Sequence, residues 1–186
     1  MKKIILAMVA VMVPLMLSAG STDFWFRHFS VEDGLSSSAV RAIMQDKYGF
    51  MWLGTDDGLN RYDGTTIKIY RLNPEGVNDY ISFLYDTTDR IWIGTGDGVY
   101  IYNYETENFE PFKLLTAKGD SIKTNVNHIA EDRDGNLWFS TVGQGIFKYN
   151  VSKHYLERYE FKDADGLMAS VLICLLYTSP SPRDRG

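Results

Sequence analysis

The chain is poor in the residues that would define several protein classes. It has one cysteine in 186 residues, Cys174. That excludes a disulfide framework and a cysteine-built zinc site. Basic residues are outnumbered, 19 Lys and Arg against 24 Asp and Glu, for a formal net charge of −5. Such a balance leaves no electrostatic footprint for nucleic acid. Proline is scarce, at 5 residues. The one long uncharged apolar run, Ile4 to Leu17, is shorter than the ~20 residues that span a bilayer. Aromatics are plentiful: 10 Phe, 12 Tyr and 4 Trp, beside 16 Gly. Aromatic residues with glycine-marked turns suit strands better than helices.

The two ends read differently from the middle. Lys2 and Lys3, the apolar run and the small residues Ser18-Ala19-Gly20 predict a signal-peptide helix over residues 1–20. Cleaved or kept as an anchor, it would send the residues after it across a membrane. At the other end, residues 174–186 carry Tyr177-Thr178-Ser179-Pro180-Ser181-Pro182-Arg183-Asp184 and fit nothing before them. This segment resembles the conceptual translation of a transposon-end adapter used in sequencing libraries, and it is set aside from the fold as an artefact. Residues 21–173 then hold no cysteine and have 15 basic against 23 acidic residues, a net charge of −8. An acidic surface disfavours anionic partners.

The middle repeats itself. Trp52, Trp92 and Trp138 lie 40 and 46 residues apart. Ahead of each stand an apolar residue and an aspartate at fixed spacing: Ile43 and Asp46, Phe83 and Asp86, Ile129 and Asp132. A period in this range is the mark of stacked units. Each unit reads as four short strands divided by turns rich in Gly and Asp, which accept positive φ. In the second unit Asp89 replaces the turn glycine of Gly49 and Gly135, and is expected to take the left-handed conformation itself. Asp33-Gly34-Leu35 returns as Asp165-Gly166-Leu167, which sets the phase of the repeat.

The fold class predicted is all-β. It is a partial β-propeller of about three four-stranded antiparallel blades in an arc. Residues 21–35 are expected to hold an outer, ring-closing strand. Blade 1 is placed at 36–78, blade 2 at 79–124, blade 3 at 125–165 and the start of a fourth at 166–173.

The pattern Ile-x-x-Asp, then Gly-x-x-Trp-Leu-Gly-Thr-x-x-Gly-Leu-x-x-Tyr-Asp, closest in residues 43–63, resembles the two-component regulator propeller repeat. The opening Phe29-Ser-Val-Glu-Asp-Gly-Leu-Ser36 is similar to the start of the periplasmic sensor region of hybrid two-component sensor kinases of Bacteroidota. The resemblance covers residues 24–173. It implies a ligand-sensing periplasmic input domain in a phosphorelay, an inner-membrane location for the whole protein, and homodimers at full length. It also implies an oligosaccharide ligand and further blades and a histidine kinase later in the same chain. A propeller scaffold or adhesin, or a propeller glycosidase or lyase, are the alternatives.

No catalytic, cofactor-binding or metal residue is assigned from the sequence. His28, His128 and His154 are scattered, and make no metal set and no triad. The recurrence of Asp46, Asp86 and Asp132 in every unit points to turn-building, in which a carboxylate accepts backbone N–H groups. The three tryptophans are expected between neighbouring blades. Ligand contacts are left unknown, with Asp56, Asp57, Asp97 and Gln144 as exposed-loop candidates of equal standing.

Overall fold

Short turns between short apolar strands leave each repeat one cheap solution, an antiparallel meander. A computed structural model describes residues 26–72 and 80–159. The first sheet holds β1 (Val40–Gln45), β2 (Met51–Thr55), β3 (Gly58–Tyr62) and β4 (Ile67–Tyr70). The second holds β5 (Ile81–Asp86), β6 (Arg90–Thr95), β7 (Gly98–Asn103) and β8 (Asn108–Pro111). The third holds β9 (Val126–Glu131), β10 (Leu137–Thr141), β11 (Gly145–Asn150) and β12 (Tyr155–Tyr159). Within each sheet the strands pair antiparallel in chain order. The sheets stack face to face, β1 against β5 and β5 against β9. First strands therefore run together along one side, as in propeller blades.

Two apolar cores fill the spaces between sheets. Trp52, Leu59, Ile81, Ile91 and Tyr102 close the first junction, and Trp92, Val126, Ile129, Phe139 and Phe147 close the second. Trp52 is 0% exposed and Trp92 is 3% exposed, as expected of residues on the second strand. Tyr102 and Phe109 of the second sheet lie 5.1 and 6.5 Å from the Trp52 ring. Phe139 and Tyr149 of the third each lie 5.7 Å from Trp92. Truncating a tryptophan at such a junction costs ~3–5 kcal/mol. Trp138 is only half-buried. It faces away from the other two sheets, with Tyr159 stacked at 5.6 Å and Lys148 over its ring.

The sheets can approach closely because the residue two after each of the first two tryptophans is glycine. A Cβ on Gly54 would lie 2.6 Å from Ile81 Cγ2, and one on Gly94 would lie 2.9 Å from the Val126 carbonyl oxygen. Ile81 and Val126 each open the first strand of the following sheet. A second link recurs at the same end. The β2–β3, β6–β7 and β10–β11 turns donate an N–H, from Asp56, Gly96 and Val142, to Ala39, Tyr80 and Asn125, just before the first strand of the same sheet.

Residues 26–30 pair with none of the three sheets, and residues 21–25 lie outside those described. The next residues, Val31–Asp33, form a 3-10 turn. Its cause is local: the Ser30 N–H and hydroxyl both donate to one Asp33 carboxylate oxygen, at 2.9 and 2.8 Å. All three sheets already have four strands, so the outer strand expected ahead of this turn would take its partner from a further sheet. One expectation needs correction, that for Asp89. Gly49 and Gly135 have φ of 88° and 78°, in turns closed by Gly49 N–H to Asp46 O and Gly135 N–H to Asp132 O. Asp89 avoids that conformation, since Glu107 and His154 are the only described non-glycine residues with positive φ. The hairpin instead tightens: Thr87 N–H donates to Arg90 O at 2.9 Å. The register slips by one, so Asp86 rather than Tyr85 pairs with Ile91. The predicted signal helix at 1–20, the start of a fourth blade at 166–173 and the segment 174–186 all lie outside the described residues.

Gly94→Ala tests the close approach. The clashing atom is backbone and cannot swing aside, so the full-length protein should lose ~1–3 kcal/mol, read as a lower urea midpoint. An unchanged midpoint would mean the sheets stand further apart.

Candidate functional site

The turn chemistry divides the assembly into two rims. On the first lie the hairpins that follow the tryptophan strands. In each, a threonine hydroxyl donates to the glycine carbonyl that ends the turn: Thr55 to Gly58, Thr95 to Gly98 and Thr141 to Gly145, at 2.9, 3.0 and 2.7 Å. This explains the recurring threonine, a role that spacing alone did not reveal. The four loop candidates all lie on this rim, and each is engaged locally. Asp56 accepts a two-pronged contact from Arg41 at 2.7 and 3.0 Å. Asp57 is gripped in the same way by Arg71. These arginines hold both carboxyls below the usual carboxylate range. Asp97, its oxygen 2.8 Å from the Thr95 hydroxyl, shares that single proton with the Gly98 carbonyl. Gln144 accepts from the Lys123 N–H at 2.9 Å. The candidates do not converge on a common point.

The opposite rim carries the recurring aspartates. One oxygen of Asp46 accepts from the N–H groups of Tyr48 and Phe50, and the other from the Trp52 indole at 2.8 Å. Asp132 repeats this with Asp134, Asn136 and the Trp138 indole at 2.9 Å. The turn-building role read from the sequence is present at both sites. The bond to the indole was not anticipated, although the constant six-residue spacing of Asp and Trp carries it. Asp86, in the shortened hairpin, accepts from the Tyr104 hydroxyl at 2.9 Å. Burial and that bond push the Tyr104 phenol well above its ordinary value.

Between the first and second sheets this rim opens into a cleft of about 270 Å³. Tyr48, Phe50, Tyr102 and Tyr104 supply aromatic surface, Arg61 a positive charge, and Asp46 and Glu107 negative ones. Tyr48 and Tyr104 meet edge to face at 5.2 Å, with the Lys47 ammonium over both rings. The histidines do not approach the cleft. His28 is exposed, and His128 packs on Phe83 with burial lowering its pKa. His154 Nδ1 lies 2.8 Å from the Tyr149 hydroxyl. Among the described residues, no group of three or more His, Cys, Asp or Glu gathers as for a metal ion.

Comparison with known proteins follows this geometry. The two-component regulator propeller family model matches residues 34–57 and 121–143. These segments take in β1, β2 and the start of the third sheet. The chain is 56% identical over 59 residues to Histidine kinase P4 of Formosa agariphila, a match over 32% of this chain and 4% of the kinase. Among solved structures it is similar to the extracellular domain of a hybrid two component system of B. thetaiotaomicron. That match has 30% identity and a TM-score of 0.63, and covers 72% of this chain and 20% of that one. The extracellular domain of another such system of the same organism matches in fold, with 23% identity and a TM-score of 0.57 over 75% and 21% of the two chains. In those two segments the chain is similar to two-component regulator propeller repeats, and it spans about a fifth of the length of those extracellular domains.

The Asp132 clamp yields a test with a definite sign. Burial raises its pKa, but bonds from Trp138, Asn136 and Asp134 outweigh it, and the carboxyl is held below its ordinary value. A depressed carboxylate contributes stability in full above the unfolded pKa of ~3.9, and loses it as pH falls through the lower folded value. Asp132→Asn turns one acceptor oxygen into an NH₂. The expected loss is ~1–2 kcal/mol at neutral pH, with a shallower fall in stability below pH ~4. Thermal melts of both forms from pH 2 to 7 check it, and parallel curves would refute it.

Proposed function

We propose that this chain belongs to the ligand-sensing input region of a hybrid two-component sensor kinase, on the outer side of the cytoplasmic membrane, and that its signal is a glycan. The observation that carries this reading is the 56% identity over 59 residues to a histidine kinase. Similarity to an extracellular domain of a hybrid two component system, at 30% identity, supports the location. The glycan rests on the resemblance to sensors of foraging Bacteroidota and on the aromatic surface exposed at the cleft.

The mechanism follows from the rigidity of the sheets. Stacked sheets with 0–3% exposed tryptophans between them deform little internally, so ligand binding would act by favouring one placement of whole modules over another. A ligand moves that balance only by its differential affinity for the two placements. In a dimer, the bias would pass through the membrane span to the kinase as a change in autophosphorylation.

The test is made on the full-length receptor in membranes, with autophosphorylation followed across a panel of plant and algal oligosaccharides. One class of oligosaccharide is expected to change the rate at least ~5-fold, the low end of ordinary allosteric coupling. No response to any member would sink the glycan assignment.

A further inference from the structure

The two inter-sheet junctions are built from equivalent residues, yet they end differently on the aspartate rim. At the second junction the corresponding polar groups meet partners. His154, at φ 54°, meets the hydroxyl of buried Tyr149. Arg90 is paired with Asp89 at 2.6 Å. The first junction has Tyr102 in the place of Tyr149 and Glu107, at φ 53°, in the place of His154. There the cleft stays open. Among the described residues no carboxylate pairs with Arg61 and no cation pairs with Glu107. The Arg61 guanidinium instead lies over Phe50 and Trp52, at 4.7 and 5.7 Å from their ring centres.

The open space thus has aromatic walls, a donor fork that reaches the Tyr102 hydroxyl and pairs with no carboxylate among the described residues, and an acceptor, Glu107, without a cation. The volume, about 270 Å³, lies just under the ~300–1,000 Å³ of sites that engulf a drug-sized molecule. It suits one ring. The C–H bonds on one face of a hexopyranose carry slight positive charge and pack on the electron-rich face of an aromatic ring. Its equatorial hydroxyls can accept from the guanidinium fork and donate to a carboxylate. Tyr48 is 63% exposed and steadied at its edge by Tyr104 and above by Lys47, so its ring is offered with little freedom left to lose. Two carboxylates, Asp46 and Glu107, face two cations, Arg61 and Lys47, and leave no net preference for an ionic sugar.

From this geometry we infer that the cleft between the first and second sheets is a subsite for one neutral hexopyranose unit, stacked on Tyr48 and hydrogen-bonded by Arg61 and Glu107. The inference rests on the sensing role proposed above and locates it on the rim opposite the loops that sequence inspection favours.

The test uses the full-length protein and methyl β-glucopyranoside, β-galactopyranoside and α-mannopyranoside, with methyl β-glucuronide as the charged comparison. Saturation-transfer NMR and calorimetry read the binding. At least one neutral glycoside should bind. Tyr48→Ala should weaken it about tenfold, whereas Tyr48→Phe, which keeps the ring, should not. Glu107→Gly should weaken it about fivefold, and it is safe for folding because glycine accepts the positive φ. Asp57→Asn, on the far rim, should change nothing. Sugar binding indifferent to the Tyr48 and Glu107 variants would overturn the subsite while leaving the sensing role intact. Tighter binding of the glucuronide would overturn the neutral class. Absence of binding by all four would also overturn the subsite, and the sensing role would then be judged by the autophosphorylation response alone.

Discussion

Each of the first two sheets is held to the next by a tryptophan on its second strand, and most other features of the structure accommodate that ring. The indole must lie flat between sheets, so the neighbour has to come close. Closeness demands glycine two residues on, at Gly54 and Gly94, where any side chain would meet the next sheet. The indole N–H, once buried, needs an acceptor, because an orphaned buried donor costs ~1–3 kcal/mol. Asp46 provides one at 2.8 Å, and the same carboxylate organises the turn that launches the strand. In the first and third repeats one aspartate thus serves both the hairpin and the tryptophan, six residues on.

The third repeat shows the same arrangement without a following sheet among the described residues. Trp138 keeps its carboxylate, from Asp132 at 2.9 Å. It also keeps a stacked tyrosine and a cation on the opposing strand, Tyr159 and Lys148. Trp52 has the matching pair in Tyr70 and Arg61. In the first and third repeats the clamp is therefore made within the sheet, and a neighbouring sheet adds burial. In place of the glycine stands Ser140, whose buried hydroxyl has no hydrogen-bond partner among the described residues. The equivalent Gly94 faces the carbonyl of Val126.

Local rules carried far in this sequence. The period, the strand order within each repeat and the burial of Trp52 and Trp92 all follow from alternation, turn residues and a recurring apolar strand. What escaped had two causes. Some features depend on a choice between turns of similar cost. Asp89 can enter the left-handed region, yet the chain avoids that by slipping the register one residue, and no propensity argument decides between those outcomes. Ser30 and Asp33 likewise settle a local choice, building a capped 3-10 turn through two hydrogen bonds to one carboxylate. Other features depend on distance. Tyr48, Arg61 and Glu107 share nothing in spacing or periodicity, and they meet only because two meanders stack. The threonine hydroxyls were visible as a repeat, but their purpose required knowing which carbonyl ends the turn.

The same division governs where a ligand could be read. Exposed loop residues attract attention in a sequence because they are polar and irregular, yet polar residues at a hairpin tip are mostly consumed by the hairpin. Asp56 and Asp57 each satisfy an arginine, Asp97 satisfies its own hairpin, and Gln144 ties its hairpin to the segment ahead of β9. Recognition needs groups left unsatisfied by the fold. In a repeat protein these arise where one copy departs from its siblings at a junction. Glu107 replaces the residue that, as His154, closes onto a tyrosine in the next repeat. Phe50 stands where Arg90 brings a charge already paired to Asp89. Repetition builds the scaffold, and the departures from it at a shared interface leave room for chemistry.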